Sequence, residues 1–264
     1  MKRLLLLLSG AFCLLLSLQL PAQKNWRPGM IITESGSELR GEINYRNWDI
    51  NPTQIQFQKA SGEILTYSKE EIKHFEVIRE DGIAECFRRF VLAVDHSPVK
   101  LGELSKTSEP LFETDTVLLM ELVRGPYSLY YLKDSRSVVH FFLQKGDDLP
   151  KELVYKKYSP NEDNDLAVSE IYRRTLIEML YDCPAVRRKI ETMSYNMKAM
   201  LRLMENYYEL CEPSAPSYLY RPEKKKWKFY LTGGLSQNRI SFSGRNPDQL
   251  DEWSFDGSTG WIPE

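Results

Sequence analysis

Glu38-Leu39-Arg40-Gly41-Glu42-Ile43-Asn44-Tyr45-Arg46 decides the fold class. Leu39, Gly41, Ile43 and Tyr45 fall on one side of an extended chain, and Glu38, Arg40, Glu42, Asn44 and Arg46 on the other. That is the period of two of a half-buried strand. The pattern continues downstream. Asn51-Pro52 is a turn; Ile55 and Phe57 alternate with Gln54, Gln56 and Gln58; Ser61-Gly62 turns again; and residues 64–67 return as a third strand. Ser68-Lys69-Glu70-Glu71 has the spacing of a capping box and predicts one helical turn before a strand over 74–79. Further strands are expected over 86–94, 117–124, 127–133, 137–143 and 152–157, with hairpin turns at Gly125-Pro126 and Lys133-Asp134-Ser135.

The period changes after residue 160. Val168, Tyr172, Leu176, Met179, Leu180 and Cys183 form one apolar stripe of a helix, which Pro184 stops. Proline is tolerated in a first helical turn, so a second helix is expected from there, capped by Asp182 or Cys183. Val186, Ile190, Met193, Met197, Met200, Leu201, Met204 and Tyr208 carry the stripe on, with Ser194 available as a fresh N-cap. Methionine fills irregular gaps, so this face is expected to be core.

Residues 1–23 read as a secretory signal peptide. Lys2 and Arg3 precede an almost wholly apolar run over 4–20, and Pro21-Ala22 offers cleavage near Ala22 or Gln23. As a membrane anchor the run lies at the lower limit of length, and Ser9, Gly10, Ser17 and Gln19 dilute it. Export bears on the cysteines. Without Cys13, Cys86, Cys183 and Cys211 remain, so at least one is free or pairs between chains. One straight helix over 184–210 would hold Cys183 and Cys211 roughly 40 Å apart, whereas a disulfide tolerates a Cα separation of about 7 Å. A break near Ser194 is expected, and with it the bond; the competing reading is two buried thiols.

Residues 212–226 read as a Pro/Lys linker, with Pro213, Pro216, Pro222 and the Lys224-Lys225-Lys226 run. Trp227, Phe229, Leu231 and Leu235 then alternate with Lys228, Tyr230, Thr232 and Ser236, opening with aromatics as an outer-membrane barrel strand does. Only 38 residues run from Trp227 to Glu264, too few for the eight strands of the smallest barrel. Residues 227–264 are therefore expected to be the start of a truncated barrel, or a tail that adds a strand to a partner.

Charge and motifs exclude several functions. With 35 basic and 37 acidic residues there is no basic excess for nucleic acid. Phosphate-loop, dinucleotide and nucleophile-elbow motifs and His-Glu-x-x-His are missing, so neither nucleotide nor cofactor is expected. His74, His96 and His140 are scattered, with no cysteine at zinc spacing, so no metal site is expected. Glu70-Glu71 and Asp147-Asp148 could supply carboxylates to a hydrolase, but neighbouring carboxylates on turns are usually only solvated.

Trp26-Arg27-Pro28-Gly29-Met30-Ile31-Ile32-Thr33, Leu39-Arg40-Gly41-Glu42-Ile43, Tyr45-Arg46-Asn47-Trp48 and Asn51-Pro52 together resemble the amino-terminal domain of a family of Bacteroidetes envelope proteins. Tyr127-Ser128-Leu129-Tyr130-Tyr131, Asp182-Cys183-Pro184 and Asn206-Tyr207 with Cys211 are similar to its middle region. The resemblance implies a signal peptide, a β-rich periplasmic part, a small helical segment and an outer-membrane barrel, and it supplies no catalytic residue. The expected fold class is α+β. A mainly antiparallel β domain over 24–160 precedes a helical segment over 161–211 and a single barrel-like strand at the carboxyl end. The expected function is that of a non-enzymatic cell-envelope protein, exported to the outer membrane with a periplasmic interaction domain. Its expected partners are the outer membrane, an outer-membrane protein or another envelope protein. The alternatives are a soluble periplasmic adaptor that adds a strand to a partner, and a secreted carboxylate-dependent hydrolase.

Overall fold

A computed structural model describes residues 25–222, except Asn47, residues 162–164, Pro213 and Ala215. The expectations at Ala22, Gln23, Trp227 and Phe229 lie outside the described residues. The described chain is mostly antiparallel β with a small helical segment, as the periodicities indicate.

The strands are β1 (Trp26–Thr33), β2 (Glu38–Asn44), β3 (Gln54–Gln58), β4 (Ile64–Ser68), β5 (Ile72–Ile78), β6 (Ala84–Asp95), β7 (Phe112–Arg124), β8 (Tyr127–Lys133), β9 (Val139–Lys145), β10 (Lys151–Glu152), β11 (Lys156–Tyr158), β12 (Ala167–Ser169) and β13 (Tyr218–Leu219). The main sheet runs β10-β9-β8-β7-β6-β5-β1-β2-β3-β4, with β13 added to β7; β11 and β12 pair separately. β10 closes the sheet order beyond β9, yet the Asp95 N–H at the end of β6 donates to Glu152 Oε2 in β10 at 2.7 Å. This half of the sheet therefore curls back towards itself.

The curl gives two apolar cores. One face carries Phe75, Val77, Phe87, Leu118, Met120, Leu129 and Phe141, which share a single buried cluster with Tyr172, Leu176, Met200, Met204 and Tyr207 of the helical segment. Strand residues of the opposite parity, Leu92, Val94, Val117, Leu119, Tyr130, Leu132 and Phe142, make a smaller core inside the curl. At Gly41 the strands approach closely: a Cβ there would lie 2.3 Å from the Gln58 carbonyl and 2.7 Å from the Phe57 ring.

The helices are α1 (Ile171–Met179), α2 (Arg187–Thr192) and α3 (Met197–Leu210). Cys183 precedes a 3-10 turn over Pro184–Val186 that leads into α2. Met193, extended at ψ 150°, ends α2. The break falls where expected, but its cap is Asn196, whose Oδ1 accepts the Ala199 N–H at 2.9 Å, and not Ser194. The turn brings the helical segment back on itself and joins Cys183 to Cys211, with Cα atoms 5.6 Å apart.

Other expectations need correction. Ser68 to Glu71 is a turn, not a helical one; Glu71 keeps half of the capping box by accepting the Ser68 N–H at 2.8 Å. Val168 lies in β12 and not on α1. The linker read over 212–226 contains β13, which pairs Tyr218 with Arg124 and Leu219 with Val123. Its prolines flank a pairing stretch too short to leave a periodic signal.

Candidate functional site

The main irregularity in the sheet is a split. β7 and β8 leave the Gly125-Pro126 hairpin paired, reach Met120 opposite Tyr131, and then part. Asn51 fills the gap. Its N–H donates to the Lys133 carbonyl at 3.0 Å, and its Oδ1 accepts the Lys133 N–H at 2.9 Å. Its Nδ2 donates to the carbonyls of Leu118 and Tyr131 at 2.9 and 3.1 Å. One side chain thus satisfies ladder groups on both parted strands, which would otherwise be left unpaired.

A cavity of about 300 Å³ opens at the split. Its floor is Val94, Val117 and Leu132 of the smaller core, and its rim is charged. The rim charges neutralise one another: Lys69 bonds Asp115 at 2.9 Å, Lys133 bonds Asp49, and Arg136 bonds Asp134 at 2.7 Å. An apolar floor beneath paired charges at the mouth of a curled sheet is a common setting for a small ligand.

Behind the rim lies His140, 2 % exposed. Its place in β9 explains the burial: it shares the parity of Phe142 and stands opposite Leu132, both of the smaller core. Nδ1 is 2.7 Å from Glu152 Oε1, and Nε2 is 3.6 Å from Asp134 Oδ2, too long for a hydrogen bond but within reach of an ion pair. Burial alone would lower its pKa; the carboxylates of Asp134 and Glu152 outweigh that and push it up to about 9. The Asp134 carboxyl is itself partly buried, which would raise its pKa, but His140, the Val138 N–H and Arg136 hold it far below the usual range. Glu152 is engaged on both sides, by His140 and by the Asp95 N–H.

A second cavity, of about 270 Å³, lies against Ser97, His140, Glu152, Tyr155 and Tyr195. Ser97 and His140 line the same space, but the serine hydroxyl donates to Asp95 Oδ1 at 2.5 Å. With its pKa pushed up to about 9 by Asp134 and Glu152, the His140 ring favours the protonated form at neutral pH, hydrogen-bonded to Glu152 and facing Asp134 at 3.6 Å. In that form it has no lone pair with which to accept a proton from a nucleophile. Among the described residues no group of three or more His, Cys, Asp or Glu is arranged to hold a metal ion.

A third polar cluster anchors the end of the described chain. Arg79, 5 % exposed, bonds Asp81 and Glu85, donates to the Tyr220 hydroxyl at 3.2 Å and holds the Arg221 carbonyl at 2.9 Å. Burial raises the Glu85 pKa, although Arg79 pulls it the other way. Ser217 N–H and Tyr220 N–H donate to the Arg124 and Leu122 carbonyls, both at 2.8 Å, and the Tyr218 hydroxyl donates to the Ala84 carbonyl. Residues 217–221 are thus laid on the sheet. Cys86 is beside them, buried, its thiol pushed up to about 12 mainly by burial, so it stays protonated and inert.

The sequence candidates fall in different places. Cys183 and Cys211 are joined. Glu71 is spent on its turn, and Asp147 and Asp148 sit exposed on the turn after β9. His74 bonds Glu76 at 2.9 Å within β5. Sequence reading treated Asn51 only as a turn residue and His140 only as one of three scattered histidines. The available signal was the parity of His140 within the apolar run of β9; nothing local marks Asp134 and Glu152 as its partners. Compared with known proteins, the chain matches no family model, no curated protein and no solved structure.

Proposed function

We propose that this chain is an exported, non-enzymatic cell-envelope protein, a β-rich interaction domain associated with an outer-membrane β-barrel on the periplasmic side. The observation that carries the reading is the bond between Cys183 and Cys211, which ties the two ends of the helical hairpin. Such bonds persist in oxidising compartments, in keeping with the leader over 1–23. The resemblance of the motifs over 26–52 to the amino-terminal domain of an envelope family supports it further.

Two other features favour binding over catalysis. His140 is engaged between two carboxylates, and the Ser97 hydroxyl donates its hydrogen bond to Asp95 and not to the His140 ring, so neither is poised for proton transfer to a substrate. The clamp of Arg79 on Arg221 fixes where the chain leaves the sheet. A fixed chain exit is a positioning feature and supplies no group for catalysis.

The test is an immunoblot of fractionated native cells with an antibody to residues 24–211, run heated and unheated. A heat-modifiable band in the outer membrane supports the reading. A soluble cytoplasmic band with Cys183 and Cys211 reduced overturns it. A soluble periplasmic band would leave export standing and replace the barrel with a soluble adaptor.

A further inference from the structure

β4 closes the sheet order opposite β10, so among the described residues no strand lies against its outer edge. The register with β3 determines which backbone groups face that edge. Lys59 N–H donates to the Glu63 carbonyl at 2.9 Å and Lys69 N–H to the Thr53 carbonyl at 2.8 Å, while Gln56 stands opposite Thr66. Hydrogen-bonded pairs alternate along an antiparallel ladder, so residues 63, 65, 67 and 69 bond inward to β3. Ile64, Thr66 and Ser68 turn their N–H and C=O outward.

Not all of these are available. Ser68 N–H is taken by Glu71 Oε2 at 2.8 Å, and its carbonyl accepts the Glu71 N–H at 3.1 Å. On the other side the Gly62 N–H is spent on the Lys59 carbonyl at 2.9 Å. What remains is the N–H and C=O of Ile64 and of Thr66, both exposed residues. Residues 64–67, Ile-Leu-Thr-Tyr, contain no charge and no proline, the usual devices that protect an edge.

We propose that β4 is a self-association edge, through which two copies of this chain join antiparallel about a twofold axis at Leu65. In that register Ile64 of one copy faces Thr66 of the other as a hydrogen-bonded pair. Each outward N–H and C=O then finds a partner in both copies. An axis at Thr66 would set Ile64 against Ser68, and an axis at Ile64 would set Thr66 against Gly62, each of which has already spent the groups required. Side chains agree with the axis at Leu65. Leu65 meets its own copy over buried Phe57, its β3 partner, extending the apolar face across the junction. Glu63 falls opposite Tyr67 and diagonal to Lys69, so no like charges are opposed. The self-complementary patch is what a twofold interface demands. The inference goes beyond the envelope reading and depends on no particular compartment.

The test is position-specific crosslinking of the full chain. Across a non-hydrogen-bonded antiparallel pair Cα atoms lie about 4.5 Å apart, within disulfide range. Leu65→Cys is therefore expected to give a covalent dimer under mild oxidation. Thr66→Cys sits diagonal to its own copy, about 7–8 Å away, and is expected to stay uncrosslinked. Sedimentation of the unaltered chain should give twice the single-chain mass. Thr66→Pro removes an outward N–H without touching the β3 ladder and should weaken the dimer by at least tenfold with the circular dichroism unchanged. A single-chain mass at about 100 µM, equal crosslinking at both cysteines, or a folded proline variant that still dimerises would overturn the proposal. The cysteine pair decides it even if the proline variant does not fold.

Discussion

The Tyr208 hydroxyl donates to the Tyr127 carbonyl at 2.7 Å and accepts the Tyr127 N–H at 3.1 Å, so one side chain on α3 satisfies both backbone groups of a residue in the β7–β8 hairpin. Gly125 makes room for it: a Cβ there would lie 2.3 Å from that oxygen. Tyr208→Phe strands a buried donor and a buried acceptor together, each costing about 1–3 kcal/mol. The expected loss is about 2–6 kcal/mol, read from the urea midpoint. Gly125→Ala should destabilise through the same contact. Combined with Tyr208→Phe it should cost less than the two losses added, because the clashing oxygen is gone. Strict additivity would count against the shared contact.

The bond between Cys183 and Cys211 closes a loop of sequence separation 28. Restricting the unfolded chain over such a loop is worth about 3–4 kcal/mol on the chain-entropy view. Cys183→Ser with Cys211→Ser should lower the thermal midpoint by an amount matching the effect of a reductant on the unaltered chain. Cys86 should contribute nothing to that difference. Buried and protonated, it is expected to resist alkylation until the chain unfolds.

How much of this could be read in advance depends on the range of each interaction. β3 has the bounds its alternation suggests, because Ile55 and Phe57 are committed to one core, and β8 spans the expected 127–133 with Tyr127 and Leu129 in the larger core and Tyr130 and Leu132 in the smaller one. The break between α2 and α3 was legible through the cysteines: a disulfide and a straight helix are incompatible at that spacing. β13 was not legible, since two paired residues between prolines leave no period. Nor was the polar cluster at the split. Asp134 lies in the turn between β8 and β9, His140 in β9 and Glu152 in β10 beside it, so the register of two successive hairpins brings them together, and only the curl adds the Asp95 N–H. Asn51 was seen as a turn former, which is the local half of its role; its bonds to Leu118 and Tyr131 are long-range and have no local signature.

His140 makes stability depend on pH in a defined direction. Its pKa rises from about 6.5 in an unfolded chain to about 9 when folded. The folded state therefore holds the proton more tightly. Its stabilisation is complete below pH ~6.5 and is lost as pH rises towards ~9. Asp134 acts in the opposite sense: its lowered pKa stabilises the fold above pH ~4 and is lost as pH falls. The maximum is expected between these limits, with a decline on the order of 3 kcal/mol on the alkaline side. His140→Gln should flatten that decline in denaturant titrations at pH 6, 7.5 and 9. A slope that survives the substitution would assign the proton to another group.

Arg79 sits where the fold hands the chain on to residues beyond Pro222. Removing it leaves Glu85, 7 % exposed, without its cation, and frees the Tyr220 hydroxyl and the Arg221 carbonyl. Breaking one side of a buried ion pair costs about 3–5 kcal/mol, whereas replacing both partners with apolar residues costs far less. Arg79→Met should therefore be much worse than Arg79→Met with Glu85→Met in equilibrium unfolding. Hydrogen exchange separates the pair from the clamp. Both variants lose the bond to the Arg221 carbonyl, so both should speed exchange at the Ser217 and Tyr220 amides, which hold β13 on β7 through the carbonyls of Arg124 and Leu122. In the double variant the Leu153 amide, bonded to the Phe141 carbonyl, should stay slow. If the double variant protected the Ser217 and Tyr220 amides as well as the unaltered chain does, pairing with β7 alone would hold the exit strand, and Arg79 would matter only to the charge it neutralises.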